Sequence, residues 1–400
     1  LKKIIFCADG TWNGPEDKTG CSIFDALDRH GEVSSSDVTN VVKFFANLAG
    51  HVTPESLTLS SEQEKIFADG GGNVRQVAKY IHGVGDSSNP IVKFLGGAFG
   101  LGVIGRIVRG YTYISRNYVA GDEIHITGFS RGAYTARALA GMIAKVGLLN
   151  PQSYDPTNKN EAYRLGMAAW AKSKSVSLDG ANRLTSLAGH MLNFVENIVA
   201  KQLPANGLIP NIPIKSVAVW DTVGSLGIPE YVDDKRYDLF RFVDNALSDK
   251  VEYGFHAMSI DEMRRDFPVT KWNDRKNIRQ VWFVGAHSDV GGGYPFPQSR
   301  LSDEALGWMM KNLSSLGVEF GAPLVNAPDG QVMGQPIHTP WEMFPFADLP
   351  TSARQVDAKD TLHVSVIRRW GADLAYRPQS MAAFNQQGVG GFKVDEVRYP

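Results

Sequence analysis

Cysteine is nearly absent: Cys7 and Cys21 are the two in 400 residues. No disulfide framework can be built from them, and Cys7, inside an apolar run, reads as a small buried residue. A basic surplus is missing too. The 41 Lys and Arg against 42 Asp and Glu leave a formal charge of −1. That cannot neutralise a phosphate backbone, so no nucleic-acid partner is expected. No uninterrupted apolar run reaches the ~20 residues that span a bilayer. Residues 94–105 come nearest, but they are glycine-rich and flanked by Lys93 and Arg106. No Cys/His cluster has zinc-ligand spacing, and no internal repeat or low-complexity block is present. The first residue is Leu1 rather than Met, from which further upstream chain is expected. Residues 1–6 read as a strand without the length or cleavage site of a signal peptide. The expectation is synthesis in the cytoplasm, with any export by a signal-independent route.

What is present has ordinary globular composition. Apolar runs at 4–8, 77–81, 123–127, 214–220 and 281–284 each lead into a polar turn. Those turns are Asp9-Gly10-Thr11, His82-Gly83-Val84-Gly85, Gly128-Phe129-Ser130, Asp221-Thr222-Val223-Gly224 and Gly285-Ala286-His287. Runs without alternation suggest strands covered on both faces, as in parallel sheets. Helical patterns lie between them, at 131–146 and 184–203. The class is therefore α/β, with a mostly parallel central sheet flanked by helices and its chemistry at the carboxyl ends of the strands. The expected organisation is an α/β-hydrolase-like catalytic domain over 1–320, a helical insertion or cap at 151–213, and a loop-rich C-terminal extension at 321–400 packed on the same domain.

Gly128-Phe129-Ser130-Arg131-Gly132 matches G-x-S-x-G. Between a strand and a helix, this spacing holds the serine in a strained turn, with glycines where side chains would clash. Its oxygen then lies at a helix N-terminus, where free N–H groups can stabilise an oxyanion. Ser130 needs a base, and the base needs an orienting acid. Of the histidines beyond Asp221, His287 alone sits in a glycine-rich loop directly after a strong strand. His256 falls in a helical pattern over 253–263 and reads as a packing residue. His338 lies in a Pro-rich loop, and His363, in a late strand, is the reserve base. Asp221, at a strand end, is the expected acid; Asp289 is the runner-up and reads better as holding its own loop together. The Arg131 N–H is the expected first oxyanion donor. The second is a Gly10 or Thr11 amide, with the loop at 82–84 as the alternative.

The run Gly128-Phe129-Ser130-Arg131-Gly132-Ala133-Tyr134-Thr135-Ala136-Arg137 resembles the signature of the DUF2235 family, which includes Tle1-type phospholipase effectors of type VI secretion. Asp9-Gly10-Thr11, Thr39-Asn40-Val41-Val42, Tyr80-Ile81-His82-Gly83-Val84-Gly85, the segment from His256 to Arg264 and the loop from Gly285 to Tyr294 are similar to further family elements, in order. The resemblance favours Asp221 as the acid. It implies a lipid ester, foremost a phospholipid, as substrate, contact with a membrane surface, and, for an effector, a secretion-apparatus or immunity-protein partner. The residues by themselves leave open a small-ester, polyester or thioester hydrolase, and a catalytically silent binding protein on the same scaffold.

An enzyme that accepts lipid must offer an apolar wall. The insertion carries Trp170, Met191 and Phe194 on helical patterns, and these are the expected substrate contacts. Gly100-Leu101-Gly102-Val103-Ile104-Gly105 matches G-x-G-x-x-G but lacks the preceding strand and the following acid of a dinucleotide site; close helix packing is its expected role. No cofactor and no metal are expected. Asp9, Asp221 and Asp289 would gather at strand ends, where a metal is the minor reading.

Overall fold

The computed structural model describes residues 1–10, 38–56, 62–83, 99–178, 203–223, 246–295, 297–321, 334–343 and 346–397. The strands are β1 (Lys3–Ala8), β2 (His51–Val52), β3 (Glu62–Ala68), β4 (Val74–Ile81), β5 (Glu123–Phe129), β6 (Leu148–Leu149), β7 (Leu208–Ile209), β8 (Ile214–Trp220), β9 (Val251–Ser259), β10 (Ile278–Phe283), β11 (Thr361–His363) and β12 (Lys393–Asp395). The helices are α1 (Asn40–Asn47), α2 (Phe99–Asn117), α3 (Arg131–Val146), α4 (Lys159–Leu178), α5 (His287–Gly291), α6 (Arg300–Ser315) and α7 (Val364–Ala372). Among the described residues, ten strands form one sheet in the order β12-β11-β10-β9-β8-β5-β1-β4-β3-β2. From β12 to β4 all pairings are parallel; β3 and β2 run antiparallel at the edge.

Strand β1 shows why the sheet is central. Ile4, Phe6 and Ala8 enter one core cluster, and Ile5 and Cys7 enter another on the opposite face. Successive side chains point to opposite faces of a strand, so an unbroken apolar run can be buried only if both faces are covered. Helices α2, α3 and α4 cover the first face, and α1 and α6 the second. Register then aligns the strand ends: Ala8 pairs with Gly128, Phe129 with Trp220, Trp220 with Ala257, and Ser259 with Phe283. The turns after β1, β5, β8, β9 and β10 therefore form one row.

All five strands expected from apolar runs are present. The helical reading of 253–263 is corrected: Val251–Ser259 is a strand between β8 and β10. Phe255 and Ala257 face the core cluster of α1 and α6, whereas Met258 joins the cluster of the C-terminal segment. Two-sided burial in the sheet overrides the helix-forming Ala and Met. The described residues beyond 321 contribute β11, α7 and β12. Gly100, Gly102 and Gly105 fall within helix α2. Farther along the same helix, a Cβ at Gly110 would come within 2.7 Å of both the Leu139 and Phe6 side chains.

Trp170 is a correction. It is buried in the cluster shared by α2, α3 and α4 rather than lining a substrate surface. A large indole on the buried face of α4 fills the core in preference to staying wet. Met191 and Phe194 lie outside the described residues.

Gly110→Ala should destabilise the fold by ~1–3 kcal/mol through overpacking. Gly141→Ala, in α3 with nothing within 4 Å of the added carbon, should be neutral or stabilising by ~0.4–1 kcal/mol. Thermal melts of the two variants provide the check.

Candidate active site

Ser130 stands between the end of β5 and the start of α3 with φ 57° and ψ −121°. A non-glycine residue in that region is under strain of ~1–3 kcal/mol, held only if its surroundings over-determine it. They do. A Cβ on Gly128 would lie 2.4 Å from the Gly132 carbonyl oxygen, and one on Gly132 would lie 2.1 Å from the Ala8 carbonyl oxygen. Only glycines allow strand, turn and helix to pass so closely. The Ser130 N–H donates to the Trp220 carbonyl at 3.1 Å, tying the turn to the end of β8.

Asp221, the next residue along β8, is buried and has φ 39°. Its carboxylate is fully engaged. Oδ1 accepts from the Ser259 N–H at 2.9 Å and from Arg354 Nη1 at 2.6 Å. Oδ2 accepts from Ser259 Oγ at 3.0 Å, Arg354 Nη2 at 3.0 Å and His287 Nδ1 at 2.6 Å. Burial alone would raise this carboxyl, but the Arg354 guanidinium and the His287 hydrogen bond hold it well below the usual carboxylate range. It is an anion at neutral pH.

His287 opens α5. Its N–H donates to Glu262 Oε2 at 3.1 Å, and its ring lies between Phe129 (centroids 4.6 Å apart) and Phe267 (5.2 Å). Burial lowers the imidazole below its ordinary value, against the raising effect of Asp221. With Nδ1–H donated to Asp221, Nε2 carries the lone pair. Gly291 brings this helix down to the elbow: a Cβ there would sit 1.9 Å from the Phe129 ring. Ser130, Asp221 and His287 thus occupy one corner of the row of strand ends.

The end of β1 borders the same corner, since a Cβ on Gly10 would lie 3.4 Å from Ser130 Cβ. Its expected role as oxyanion donor is corrected, because the Gly10 N–H donates to Asp9 Oδ1 at 2.6 Å. Asp9 also accepts from Thr39 Oγ1 at 2.8 Å and Tyr80 Oη at 2.6 Å. Burial pushes its carboxyl up to about 6. Thr11 lies outside the described residues. The Arg131 N–H is in the first turn of α3, beside Ser130.

The other three histidines beyond Asp221 have structural partners. His256 Nε2 accepts the Thr222 N–H at 3.0 Å, and burial lowers its imidazole to about 3. His363 caps α7 through Ser365 and stacks on Phe283. His338 Nδ1 meets Asp289 Oδ1 at 2.6 Å, while Asp289 Oδ2 accepts the Ala286 and His338 N–H groups. Asp289 therefore holds its own loop, as expected. Among the described residues, no three His, Cys, Asp or Glu side chains gather to hold a metal ion. Sequence reasoning missed Arg354 and Glu262. Glu262 is buried, takes a bidentate pair of 2.8 Å bonds from Arg264, and receives the His287 N–H.

Arg354→Met should strand a buried carboxylate and cost ~3–5 kcal/mol. A carboxyl with a depressed folded pKa contributes stability above its unfolded value of about 3.9 and loses it as pH falls toward the folded value. The melting-temperature gap between wild type and variant should be widest near neutrality and narrow in acid.

Residues 2–312 match the model of the catalytic domain of Tle1-like phospholipase effectors of type VI secretion. An uncharacterized protein of Saccharomyces cerevisiae is 27% identical over 129 residues, covering 29% of this chain and 19% of the yeast protein. Among solved structures, an uncharacterized protein from Pseudomonas aeruginosa aligns at 17% identity and a TM-score of 0.42, over 84% of this chain and 49% of that one. The Tle1 effector bound to the VgrG spike of the type VI secretion system aligns at 17% and 0.37, over 74% and 51%. The chain spans about half the length of these solved proteins. The family match runs through the turns that carry Ser130, Asp221 and His287, and this chain belongs to the Tle1-like phospholipase effector family in its catalytic domain.

Proposed function

We propose that this chain hydrolyses carboxylic esters of lipids, phospholipids foremost, through an acyl-enzyme on Ser130. The observation that carries the reading is a strained serine and a buried Asp221–His287 pair, 2.6 Å apart, at aligned strand ends. Membership of a phospholipase effector family supports the substrate class. The same reading makes a bilayer surface the place of work. It makes the type VI apparatus the signal-independent route of export, with an immunity protein as the partner that spares the producing cell.

In this mechanism Ser130 Oγ attacks the ester carbonyl while His287 Nε2 takes its proton. Asp221 keeps the imidazole in the tautomer that leaves Nε2 free and stabilises the imidazolium. The Arg131 N–H, at the N-terminus of α3, receives the developing oxyanion; one such donor is worth ~3 kcal/mol of transition-state stabilisation. His287 then gives the proton to the departing alkoxide. In the second half it activates a water that attacks the acyl-enzyme, releasing the fatty acid and restoring Ser130. The backbone strain at Ser130 aims Oγ before substrate arrives, so little reorganisation remains for the reaction itself.

Ser130→Ala and His287→Ala should each lower kcat by at least ~10³-fold on the best ester, because the three groups act as a unit. Asp221→Asn should cost up to ~10⁴-fold through the wrong tautomer. The base form of His287 is the active one, so kcat/KM should fall as pH drops through a value below the ordinary ~6.5 of histidine. In Asp221→Asn that acid limb should move lower still, since the carboxylate that raises the imidazole is gone. Steady-state kinetics across pH reads all of these; full activity in Ser130→Ala would end the proposal.

A further inference from the structure

Among the described residues, two segments that pair with each other bring aromatic side chains to His287. Phe267 follows β9, and its ring meets the imidazole edge-on at 5.2 Å. Phe346 meets Phe267 at 5.9 Å, also edge-on. Hydrogen-bonded turns join Phe346 to Met343 and to Leu349, 64% and 36% exposed. Phe267 and Phe346 make a half-buried pair of rings beside the histidine, and the exposed Met343 and Leu349 lie within three residues of Phe346 along the chain. Contiguous exposed apolar surface next to a reactive centre marks a place where something apolar binds.

The two rings are fixed by polar clamps. The Arg264 guanidinium lies 3.6 Å from the Phe267 ring and 4.8 Å from that of Phe346, while Glu262 holds it bidentately. The same Glu262 receives the His287 N–H. Arg354, which neutralises Asp221, also donates from Nη2 to the Phe267 carbonyl at 2.7 Å. Arg264 bridges Thr351, and the Ser352 N–H donates to the Met263 carbonyl at 2.8 Å. The groups that orient His287 and Asp221 therefore also orient Phe267 and Phe346.

Sheet order decides which part of a substrate lies there. Strand β1, at whose end the Ala8 and Asp9 carbonyls lie against Gly132 in the first turn of α3, sits on one side of β5 and Ser130; β8, β9 and β10, and with them His287, sit on the other. The carbonyl oxygen must face the amide side. The imidazole must face the departing alkoxide, to which it returns the proton. We infer that the strip formed by Phe267, Phe346, Met343 and Leu349 binds a hydrocarbon chain on the alcohol side of the ester, which in a diacyl lipid is the second acyl chain. This rests on the ester-hydrolase reading and assigns the leaving-group subsite within it.

The test uses the full chain and two substrate series. One varies the alcohol, from ethyl to dodecyl butyrate; the other varies the acyl group, from nitrophenyl butyrate to nitrophenyl dodecanoate. In Phe346→Ala, and in the surface double variant Met343→Ser with Leu349→Ser, the dodecyl-to-ethyl ratio of kcat/KM should fall about tenfold, and the acyl-series ratio should change less than about twofold. Phe346→Leu, which keeps much of the volume, should fall between wild type and Phe346→Ala. An equal or larger fall in the acyl-series ratio, or no change in either ratio, would overturn the assignment. Wild-type turnover of nitrophenyl butyrate, and its loss in Ser130→Ala, is measured in the same preparation, which separates a failure of the hydrolase reading from a failure of the strip.

Discussion

The buried Asp221 carboxylate is the constraint on which the site depends. To hold the Nδ1–H of His287 it must stay ionised, and an ionised carboxylate without water is costly unless paired and hydrogen-bonded. Five hydrogen bonds from three residues meet that cost: two from Ser259, two from Arg354 and one from His287. Arg354 comes from the segment after α6, beyond the region matched by the family model. The C-terminal residues are therefore part of the electrostatics of the site. Because the same guanidinium holds the Phe267 carbonyl, the charge that pairs with Asp221 also holds the apolar neighbour of His287.

A second constraint runs through backbone packing. The strain at Ser130 persists because the carbonyls of Ala8 and Gly132 leave no room for side chains at Gly132 and Gly128. Gly291 extends the same tightness to α5, which rests directly on the Phe129 ring. Ser130 and His287 are thus positioned by two close approaches to one residue pair, Phe129 and Ser130. Preorganisation of this kind lowers the reorganisation that a reaction must otherwise drive.

How much of this was legible in the sequence follows from the range of each interaction. The elbow could be read because its steric demands fall within five residues, and the strand ends because unbroken apolar runs have few other uses in a sheet. Asp289 could be read as a loop residue because its partner Ala286 is three positions away. Arg354 could not, since its partner lies 133 residues earlier and nothing in its own surroundings marks it. Residues 253–263 misled because Ala, Met and Glu favour helix locally, whereas two-sided burial between β8 and β10 decides. Trp170 misled for a related reason: composition does not say which face of a helix meets the core. Gly10 permits the close approach expected of it, but Asp9, one bond away, takes the amide that the approach was expected to free.

The proposed nucleophile Ser130 depends for its reactivity on a neutral His287 held by Asp221. The most direct measurement is peptide mapping of the covalent adduct formed with a fluorophosphonate ester, in wild type and in His287→Ala. A single adduct on Ser130 in the wild type, formed far more slowly without the imidazole, is the predicted result. An adduct on a different residue with Ser130 unmodified, or labelling of Ser130 at an unchanged rate in His287→Ala, would contradict it.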